Sequence, residues 1–260
     1  MIDIHSHPLT GVDDGAKDFD TSVEMCRIAA ADGVTHLVAT PHYSYSYPFN
    51  PEVNRAKLGE LKAAVGNSPQ LLLGCDFHLS FDNVRELVKN PRAYTINATA
   101  YLLVEFPDHF IPEQIERVLF DVQMDSLIPI LTHPERNPVF RRRPQLLYHW
   151  VARGCLAQVT AKSFLGGFGS EAERLSVEWL QMNLVHFLAS DAHDTHYRPP
   201  ILSQCYQKVV QISGPETAER LLRTNPRAVI EGHDLAPQPE PVGYTKPKRK
   251  WRWLSFLQRR

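Results

Sequence analysis

The first fifteen residues combine a strand-like apolar pattern with side chains that commonly bind metal ions. The chain opens MIDIHSHPLTGVDDG, in which His5 and His7 are two positions apart. Side chains two positions apart in a strand project from the same face, so these two imidazoles could hold one ion. The acidic pair Asp13 and Asp14 follows after a short loop. A single pair of histidines is weak support for a metal site, because packing or hydrogen bonding usually explains it.

Residues of the same kind recur at the ends of other short apolar runs. Seven such runs lie along the chain, and six of them end in a good metal ligand. These residues are His5 and His7, His42, Asp76, Glu105, His133, Asp191 and His193. Coincidence is a poor explanation for a histidine near the end of four of these runs, so we predict that the residues form one site.

The apolar runs alternate with segments of helical periodicity. In residues 19–33 and 51–66, apolar side chains recur at helical spacing and a glycine ends the segment. Strands that alternate with helices predict crossover units and a parallel sheet, and seven of them favour a β/α barrel. The carboxyl ends of barrel strands meet at one rim, which would bring the predicted ligands together. An open doubly wound sheet is the alternative fold.

The ligand types indicate the chemistry of the site. Imidazoles and carboxylates without thiolates suit divalent ions such as Mn²⁺, Fe²⁺ or Zn²⁺, and they do not suggest a structural zinc site. With Asp14 the set has nine members, which is more than one ion can use, so we expect two or three ions with Asp76 or Glu105 as a bridge. Closely spaced ions activate a water and bind the oxygens of a displaced group, which is the usual way to hydrolyse phosphate esters.

Two arginines lie on loops that leave the same rim. Arg136 follows His133 in THPER, and Arg198 follows His193 in HDTHYRPP. A guanidinium group can bind a phosphate through two parallel hydrogen bonds, and it is always charged. Each arginine alone would be interpreted as a surface ion-pair residue. Their shared position predicts a phosphate clamp.

Composition excludes several classes of protein. The chain has 260 residues, 43% of them hydrophobic, and can therefore bury a large core. A net charge of -1 does not indicate a nucleic-acid-binding protein, and no nucleic-acid partner is expected. The cysteines are scattered without a CxxC motif, which favours a protein of the reducing cytoplasm. None of them is followed six positions later by arginine, the spacing found in thiol-dependent tyrosine phosphatases. We find no leader or membrane-spanning run and expect a cytoplasmic protein.

Charge is distributed unevenly along the chain. We divide it into a body, residues 1–235, and a tail, residues 236–260. From Pro237 onward seven Lys and Arg accompany one acid, so this end carries about +6 and the rest about -7. The prolines predict an extended, mobile linker, and the following segment KRKWRWLSFL joins basic to apolar residues. Such a segment is too short to span a bilayer but could lie on an anionic membrane surface. The alternatives are a disordered tail or one that docks on the acidic body.

Several motifs taken together resemble one superfamily. The segments MIDIHSH, VDDG, ATPH, LVEF, LTHPER, ASDAH and NPRAV are similar to motifs of the polymerase and histidinol phosphatase (PHP) superfamily. Within it, the chain most resembles the bacterial manganese-dependent protein-tyrosine phosphatases of capsule and exopolysaccharide operons, from Met1 to about Leu235. The resemblance implies a distorted seven-stranded β/α barrel of the PHP type with a trinuclear centre, for which Mn²⁺ is favoured and Fe or Zn is the alternative.

The resemblance also implies how the ligands are shared. His5, His7, Asp76 and Asp191 would hold one ion, Asp76, Glu105 and His133 a second, and Asp14, His42 and His193 the third. It favours Asp14 over Asp13 as a ligand and assigns phosphate binding to Arg136 and Arg198. One position departs from the pattern, because GCD places Asp76 where the family usually has a glutamate after Gly-Ala. A shorter bridge would alter metal spacing or choice, but a carboxylate is kept, and we expect a working site.

We therefore predict a metal-dependent phosphomonoester hydrolase. The resemblance implies that its substrate is phosphotyrosine on a tyrosine autokinase of polysaccharide biosynthesis, and hence a location at the inner membrane surface. The loop YSYSYPFN after His42 could stack on an aromatic leaving group through its three tyrosines and Phe49, or be a plain surface loop. A small-molecule phosphatase of the histidinol-phosphatase type is one alternative. A metal-binding regulatory module without turnover is another, against which the complete ligand set and both arginines argue.

Overall fold

The computed structural model describes residues 1–107, 111 and 114–243, which form a mixed α/β fold with parallel strands. The strands of this part of the chain are β1 (Ile2–Ser6), β2 (His36–Ala39), β3 (His42–Tyr43), β4 (Gln70–Leu73), β5 (Asp76–His78), β6 (Tyr101–Glu105), β7 (Ile128–Thr132), β8 (Leu156–Thr160) and β9 (Phe187–Ala189). The α-helices are α1 (Phe19–Ala31), α2 (Pro51–Val65), α3 (Phe81–Lys89), α4 (Ile115–Met124), α5 (Pro138–Arg142), α6 (Gln145–Val151), α7 (Ala161–Phe164), α8 (Ser170–Gln181), α9 (Ser203–Ser213), α10 (Pro215–Glu219) and α11 (Asn225–Glu231).

Local sequence signals define the first two long helices. The Asp18 side chain accepts a hydrogen bond from the amide of Thr21 at 2.8 Å and so caps α1. Asn50 caps α2 in the same way, and Pro51 occupies the first turn, where its missing amide hydrogen costs nothing. Gly66 follows α2 with a φ of 69°, which few other residues adopt without strain. Both predicted helices are therefore confirmed.

The strands form two parallel sheets. One sheet has the order β1-β2-β4, and the other has the order β3-β5-β6-β7-β8-β9. An isolated parallel bridge between Ser6 and Ala192 links the end of β1 to the segment after β9. There, Asp191 N donates to His5 O at 2.9 Å and His7 N donates to Ala192 O at 2.8 Å. The carboxyl ends of strands from both sheets therefore meet in one place.

A continuous seven-stranded barrel is not confirmed, because neither sheet closes on itself. Each of the seven predicted runs contains a strand, but the second and third runs are each divided into two short strands. The first division falls at Pro41, which has no amide hydrogen to donate to a strand ladder. The other falls at Gly74, where a Cβ would lie 3.2 Å from Thr40 Cγ2, so the two interruptions pack against one another. This distortion places His42 and Asp76 at the start of new strands.

The strands next to the site are buried on both faces, as expected when parallel strands are covered by helices. Polar residues nevertheless occur among them, including the fully buried His5, Asp76 and Gln158. Burying an ionisable group is costly unless it is paired with another charge, a hydrogen-bond partner or a metal ion. The strands therefore carry polar residues that the core does not need for packing.

Residues 236–243 have no helix or strand but are bound to the body. Val242 N donates to Met182 O at 2.9 Å, and the Asn183 amide donates to Glu240 O at 3.0 Å. The start of the predicted linker therefore follows the surface of the body. Residues 244–260, with the predicted basic and apolar segment, lie outside the described residues. Within the described ranges, we find no helix of the length and apolar character needed to cross a membrane.

Candidate metal centre

The structure brings all nine predicted ligands together at the carboxyl ends of the strands and in the loops that follow them. Neighbouring ligand atoms of this set lie 3.2 to 3.9 Å apart. The residues are His5, His7, Asp14, His42, Asp76, Glu105, His133, Asp191 and His193. Their combination supplies imidazole nitrogens and carboxylate oxygens only.

One part of the cluster is formed by β1 and the segment after β9. His5 Nε2 lies 3.4 Å from both Asp76 Oδ2 and Asp191 Oδ1, and His7 Nε2 lies 3.4 Å from Asp191 Oδ1. The two imidazole nitrogens are 3.2 Å apart. The pair in HSH thus points into one site, as the strand period predicts, and both of its nitrogens face carboxylates.

A second part surrounds Glu105 at the end of β6. His42 Nδ1 lies 3.2 Å from Asp76 Oδ2 and 3.4 Å from Glu105 Oε2. His133 Nε2 lies 3.5 Å from Glu105 Oε1 and 3.9 Å from Asp76 Oδ2. His78, two positions after Asp76, also faces the Glu105 carboxylate, with its Nδ1 3.5 Å from Glu105 Oε2. Asp76 therefore lies between the first and second parts, where a bridging ligand would be.

The third part contains Asp14 and two imidazoles. Asp14 Oδ1 lies 3.4 Å from His42 Nε2 and 3.5 Å from His193 Nε2. The ring of His7 is adjacent, with its centroid 4.0 Å from that of His193. Asp14, and not its neighbour, thus points into the cluster. His42 contributes one ring nitrogen to this part and the other to the second part.

The donor atoms of the cluster fit divalent metal ions. Three groups have ligand atoms within 4.8 Å of one another: His7, Asp14, His42 and His193; His5, His7 and Asp76; and His42, Asp76 and Glu105. Among the nine ligand residues, four buried side-chain atoms have no hydrogen-bond partner in the described part of the chain, namely His42 Nδ1, Asp76 Oδ2, His133 Nε2 and Asp191 Oδ1. Unpaired buried acceptors are costly, and a cation between them would satisfy several at once.

The electrostatics of the cluster also favour added positive charge. Burial alone would lower the pKa of His5, but the Asp76 and Asp191 carboxylates raise that pKa to about 9. Burial would raise the pKa of Asp76, yet the charge of His5 and the neighbouring imidazoles of His133 and His42 hold that pKa well below its usual value. The carboxylates therefore stay ionised and attract cations, whether these are protons on imidazole or metal ions.

Two further residues orient the histidines, and neither was among the predicted ligands. Gln158 Oε1, on β8, lies 2.9 Å from His5 Nδ1, so the amide oxygen accepts from this nitrogen and leaves Nε2 to face the cluster. Asp13 Oδ2 lies 2.7 Å from His7 Nδ1 and has the same effect. The sequence signal for Gln158 was a polar residue in the middle of an apolar run. For Asp13 it was the neighbouring Asp14.

The backbone is strained at two of the site residues. His133 and Asp191 have φ values of 35° and 52°, in a region that residues other than glycine rarely adopt. Each such conformation costs on the order of 1 to 3 kcal/mol and is found mainly at functional sites. His133 directly follows β7 and Asp191 lies two residues after β9, so the strain occurs where the chain turns its side chains into the cluster.

The loop that carries Asp14 packs tightly against His7. A Cβ on Gly15 would lie 2.1 Å from His7 O and 2.6 Å from His7 Cβ. We expect Gly15→Ala to lower the free energy of unfolding by roughly 1 to 3 kcal/mol and to weaken metal binding, because the loop must move away. Chemical denaturation and metal analysis measure both effects.

Gly59 provides the matched control for this substitution. It lies on the exposed face of α2, and a Cβ there meets nothing within 4 Å. Gly59→Ala is expected to stabilise the protein by roughly 0.5 to 1 kcal/mol. Equal stability of the Gly15→Ala variant and the wild type would show that the loop does not need this close approach.

The two predicted arginines converge on one carboxylate of the cluster. Arg136 Nη2 and Arg198 Nη2 lie 2.7 and 2.5 Å from Asp191 Oδ2. The ring of Phe168, in the loop between α7 and α8, lies under both guanidinium groups, with its centroid 4.8 Å from Arg136 Cζ and 5.7 Å from Arg198 Cζ. Such cation–π contacts orient the arginines. Sequence reasoning missed Phe168, because nothing in LGGFG marks it as a neighbour of the arginines.

A cavity of about 530 Å³ opens beside His42. Tyr45 and Tyr47 line it, and the ring of Tyr47 stacks on that of His42 with the centroids 6.0 Å apart. Tyr43 and Phe49 instead pack against other aromatic rings in the core. The prediction that all three tyrosines and Phe49 could meet an aromatic ligand is thus wrong for two of the four residues.

Comparison with known proteins places this chain in a described family. Residues 1–231 match the family described as "Capsular polysaccharide synthesis, CpsB/CapC". The chain is 35% identical over 263 residues to the "Putative tyrosine-protein phosphatase CapC" of Staphylococcus aureus, which covers 99% of this chain and 100% of that protein. It is 36% identical over 202 residues to the "Tyrosine-protein phosphatase YwqE" of Bacillus subtilis, covering 76% of this chain and 79% of that protein.

A solved structure has the same fold over nearly the whole chain. It matches with a TM-score of 0.86 and 32% sequence identity, and covers 95% of this chain and 100% of the solved one. It belongs to a study of YwqE from Bacillus subtilis and CpsB from Streptococcus pneumoniae, which are described there as "unique metal-dependent tyrosine phosphatases". The similarity therefore extends over the sequence and the fold.

Proposed function

The chain belongs to the CpsB/CapC family of capsular polysaccharide synthesis proteins, and on this basis we propose that it is a metal-dependent protein-tyrosine phosphatase. The observation that carries the proposal is the convergence of nine imidazole and carboxylate ligands beside two arginines. Relatives named tyrosine-protein phosphatases supply the substrate class. The site itself supports hydrolysis of a phosphate ester.

We propose that the cluster holds two or three divalent ions, with Mn²⁺ as the favoured metal and Fe or Zn as alternatives. His5, His7, Asp76 and Asp191 would bind one ion, Asp76, Glu105 and His133 a second, and Asp14, His42 and His193 a third. When bound, such ions supply Lewis-acid charge and activate water for attack on phosphorus. Asp76 Oδ2 lies within 3.9 Å of nitrogens of His5, His42 and His133, so its shorter side chain would still reach a bridging position. This reach argues against a module without turnover.

The residues of the chain itself orient the substrate. Arg136 and Arg198 present their guanidinium groups from one side, held by Asp191 and by the ring of Phe168. A phosphoryl group at the cluster would exchange part of these contacts for its own oxygens, which gain charge in the transition state. Gln158 and Asp13 keep the imidazoles turned toward the cluster during the reaction.

The cavity beside His42 suits an aromatic leaving group. The ring of Tyr47 stacks on that of His42, and the phenyl ring of a phosphotyrosine bound at the cluster would lie against the Tyr47 ring. A phosphatase of the histidinol-phosphate type is the alternative, because an imidazole ring could occupy the same space. Rate constants for a phosphotyrosyl peptide and for histidinol phosphate, measured under one set of conditions, separate the two. We expect kcat/KM to be higher for the peptide, and the reverse order would favour the alternative.

We further propose that the physiological partner is a bacterial tyrosine autokinase of polysaccharide biosynthesis. The family description, capsular polysaccharide synthesis, supports this proposal. With such a partner the enzyme would work in the cytoplasm, close to the inner membrane surface. A phosphorylated autokinase of this class should therefore lose phosphate more rapidly than a phosphotyrosyl protein of unrelated sequence.

Membrane contact by the tail stays a prediction. The comparisons give it no support, and residues 244–260 lie outside the described part of the chain. We expect a chain truncated after Gly243 to hydrolyse a small aryl phosphate normally but to bind anionic vesicles more weakly, in a salt-dependent way. The physical reason is the loss of seven basic residues, each contributing on the order of 1 kcal/mol at such a surface. Equal vesicle binding by the full-length and truncated chains would contradict this prediction.

A further inference from the structure

A second cavity adjoins the reaction centre on the side of the arginines. Its volume is about 380 Å³. It is lined by α7, by the loop after β9 and by the start of α9, and its lining includes Lys162, His196, Tyr197, Arg198 and Gln204. The ammonium group of Lys162 lies 5.6 Å from the centroid of Phe168, the ring that also lies under the two guanidinium groups. Three cations therefore surround one aromatic ring beside the cluster.

Lys162 differs from the two arginines in its partners. Both arginines are bound to Asp191. Lys162 instead donates a hydrogen bond to the carbonyl oxygen of Tyr197, and its ammonium nitrogen lies 3.8 Å from the centroid of the Tyr197 ring. In the parts of the chain that the structure describes, no carboxylate oxygen lies within 4.0 Å of its ammonium nitrogen. Its charge is therefore available to a ligand.

Asp194, in the loop that carries Tyr197, forms no ion pair with Lys162. Asp194 uses one carboxylate oxygen to accept three hydrogen bonds, from the backbone amides of His196, Tyr197 and Arg198. These bonds tie the Asp194 carboxylate to the backbone of its own loop. The loop thus presents Arg198 and supports Lys162, while its own acid is occupied.

The two cavities that flank the cluster carry opposite charge. The cavity beside His42 is lined by the carboxylates of Asp82 and Glu105 and by no lysine or arginine among the described residues. The cavity beside Arg198 is lined by Lys162 and Arg198 and by no aspartate or glutamate of the described chain. A peptide that crosses the site would therefore be favoured when its acidic side chains lie on the Lys162 side.

We propose that this cavity is a specificity subsite, in which Lys162 binds an acidic side chain next to the phosphotyrosine of the substrate. The inference rests on the proposed phosphatase function and adds a sequence preference to it. The position of Lys162 beside the arginine clamp places its charge close to the phosphate. An acidic residue next to the phosphotyrosine could reach Lys162 while the phosphate stays at the cluster.

The test compares two phosphotyrosyl peptides that differ only in having glutamate or glutamine beside the phosphotyrosine. The readout is the ratio of their kcat/KM values, because a disturbance of the reaction centre lowers both rates and leaves the ratio unchanged. We expect the wild type to prefer the glutamate peptide by roughly two- to fivefold at low salt, the range for exposed ion pairs, and less at high salt.

Charge variants locate the preference at one side chain. Lys162→Gln keeps a donor for Tyr197 O but removes the charge, so the ratio should fall to about one, whereas Lys162→Arg should retain it. Lys62→Gln, on the exposed side of α2, is the matched control and should behave as the wild type. A wild-type ratio of one, or a ratio unchanged by Lys162→Gln, would overturn the subsite. Failure of the wild type to hydrolyse either peptide would instead overturn the proposed function.

Discussion

Replacement of Asp76 by alanine is expected to lower kcat for phosphotyrosine hydrolysis by roughly 100- to 1,000-fold or more. Asp76 Oδ2 lies within 3.9 Å of His5, His42 and His133, so its removal leaves the first two parts of the cluster without their shared carboxylate. Metal charge in such a site stabilises a transition state by several kcal/mol, and each 1.36 kcal/mol corresponds to a factor of ten. Steady-state kinetics measure the loss, and metal analysis should show fewer ions per chain.

Asp76→Glu is the matched control for this variant. It keeps the carboxylate and introduces glutamate, the residue that the PHP-type phosphatases resembled by this chain usually have at this position. We expect it to keep metal and most of the activity. An Asp76→Ala protein with the wild-type kcat and metal content would show that Asp76 binds no ion that matters for the reaction.

Replacement of Arg136 or Arg198 by alanine is expected to lower kcat by roughly 100- to 1,000-fold while leaving the metal content unchanged. A preorganised donor to the charge that develops in a transition state is worth about this factor. Each single variant leaves the other guanidinium group bound to Asp191, so this buried carboxylate keeps one cationic partner. Steady-state kinetics and metal analysis on the same preparations measure the two quantities.

Lysine variants and a distant arginine refine this prediction. Lysine cannot form the two parallel hydrogen bonds of a guanidinium group, so Arg136→Lys and Arg198→Lys should restore only part of the activity. Arg174, which pairs with Glu178 on the exposed side of α8, is the control, and Arg174→Ala should be as active as the wild type. Wild-type rates in both Arg136→Ala and Arg198→Ala would show that these arginines do not bind the phosphate in the reaction.

The ligands were predictable because their positions follow from general rules of strand geometry. His5 and His7 point the same way since side chains alternate along a strand, and parallel strands bring their carboxyl ends to one edge. The choice of Asp14 over Asp13 was different. It depended on family resemblance. In the structure, Asp14 faces the imidazole nitrogens of His42 and His193, while Asp13 orients His7.

Other features depend on packing that no local pattern encodes. The division of the third predicted run at Gly74 depends on a close approach to Thr40, which is far away in sequence. Phe168 meets the arginines only because the loop after α7 folds back over the site. Tyr43 and Phe49 are aromatic, as are the cavity-lining Tyr45 and Tyr47, and composition cannot separate a core ring from an exposed one.

The cysteines offer no alternative nucleophile within the fold. All four are buried, and burial raises the pKa values of Cys26, Cys155 and Cys205 to about 12. A thiol must lose its proton to attack phosphorus, so these side chains are inert at neutral pH. A thiol alkylator should therefore leave the activity of the native protein nearly unchanged.

Phosphotyrosyl-peptide hydrolysis, followed in the same sample as metal content during chelation and Mn²⁺ titration, tests the metal mechanism most directly. We predict that activity falls to background as the bound ions are removed. It should return as more than one ion per chain is restored, and the Asp76→Ala protein should recover neither the full metal content nor the rate. Full hydrolysis of the peptide by metal-free protein would contradict the account.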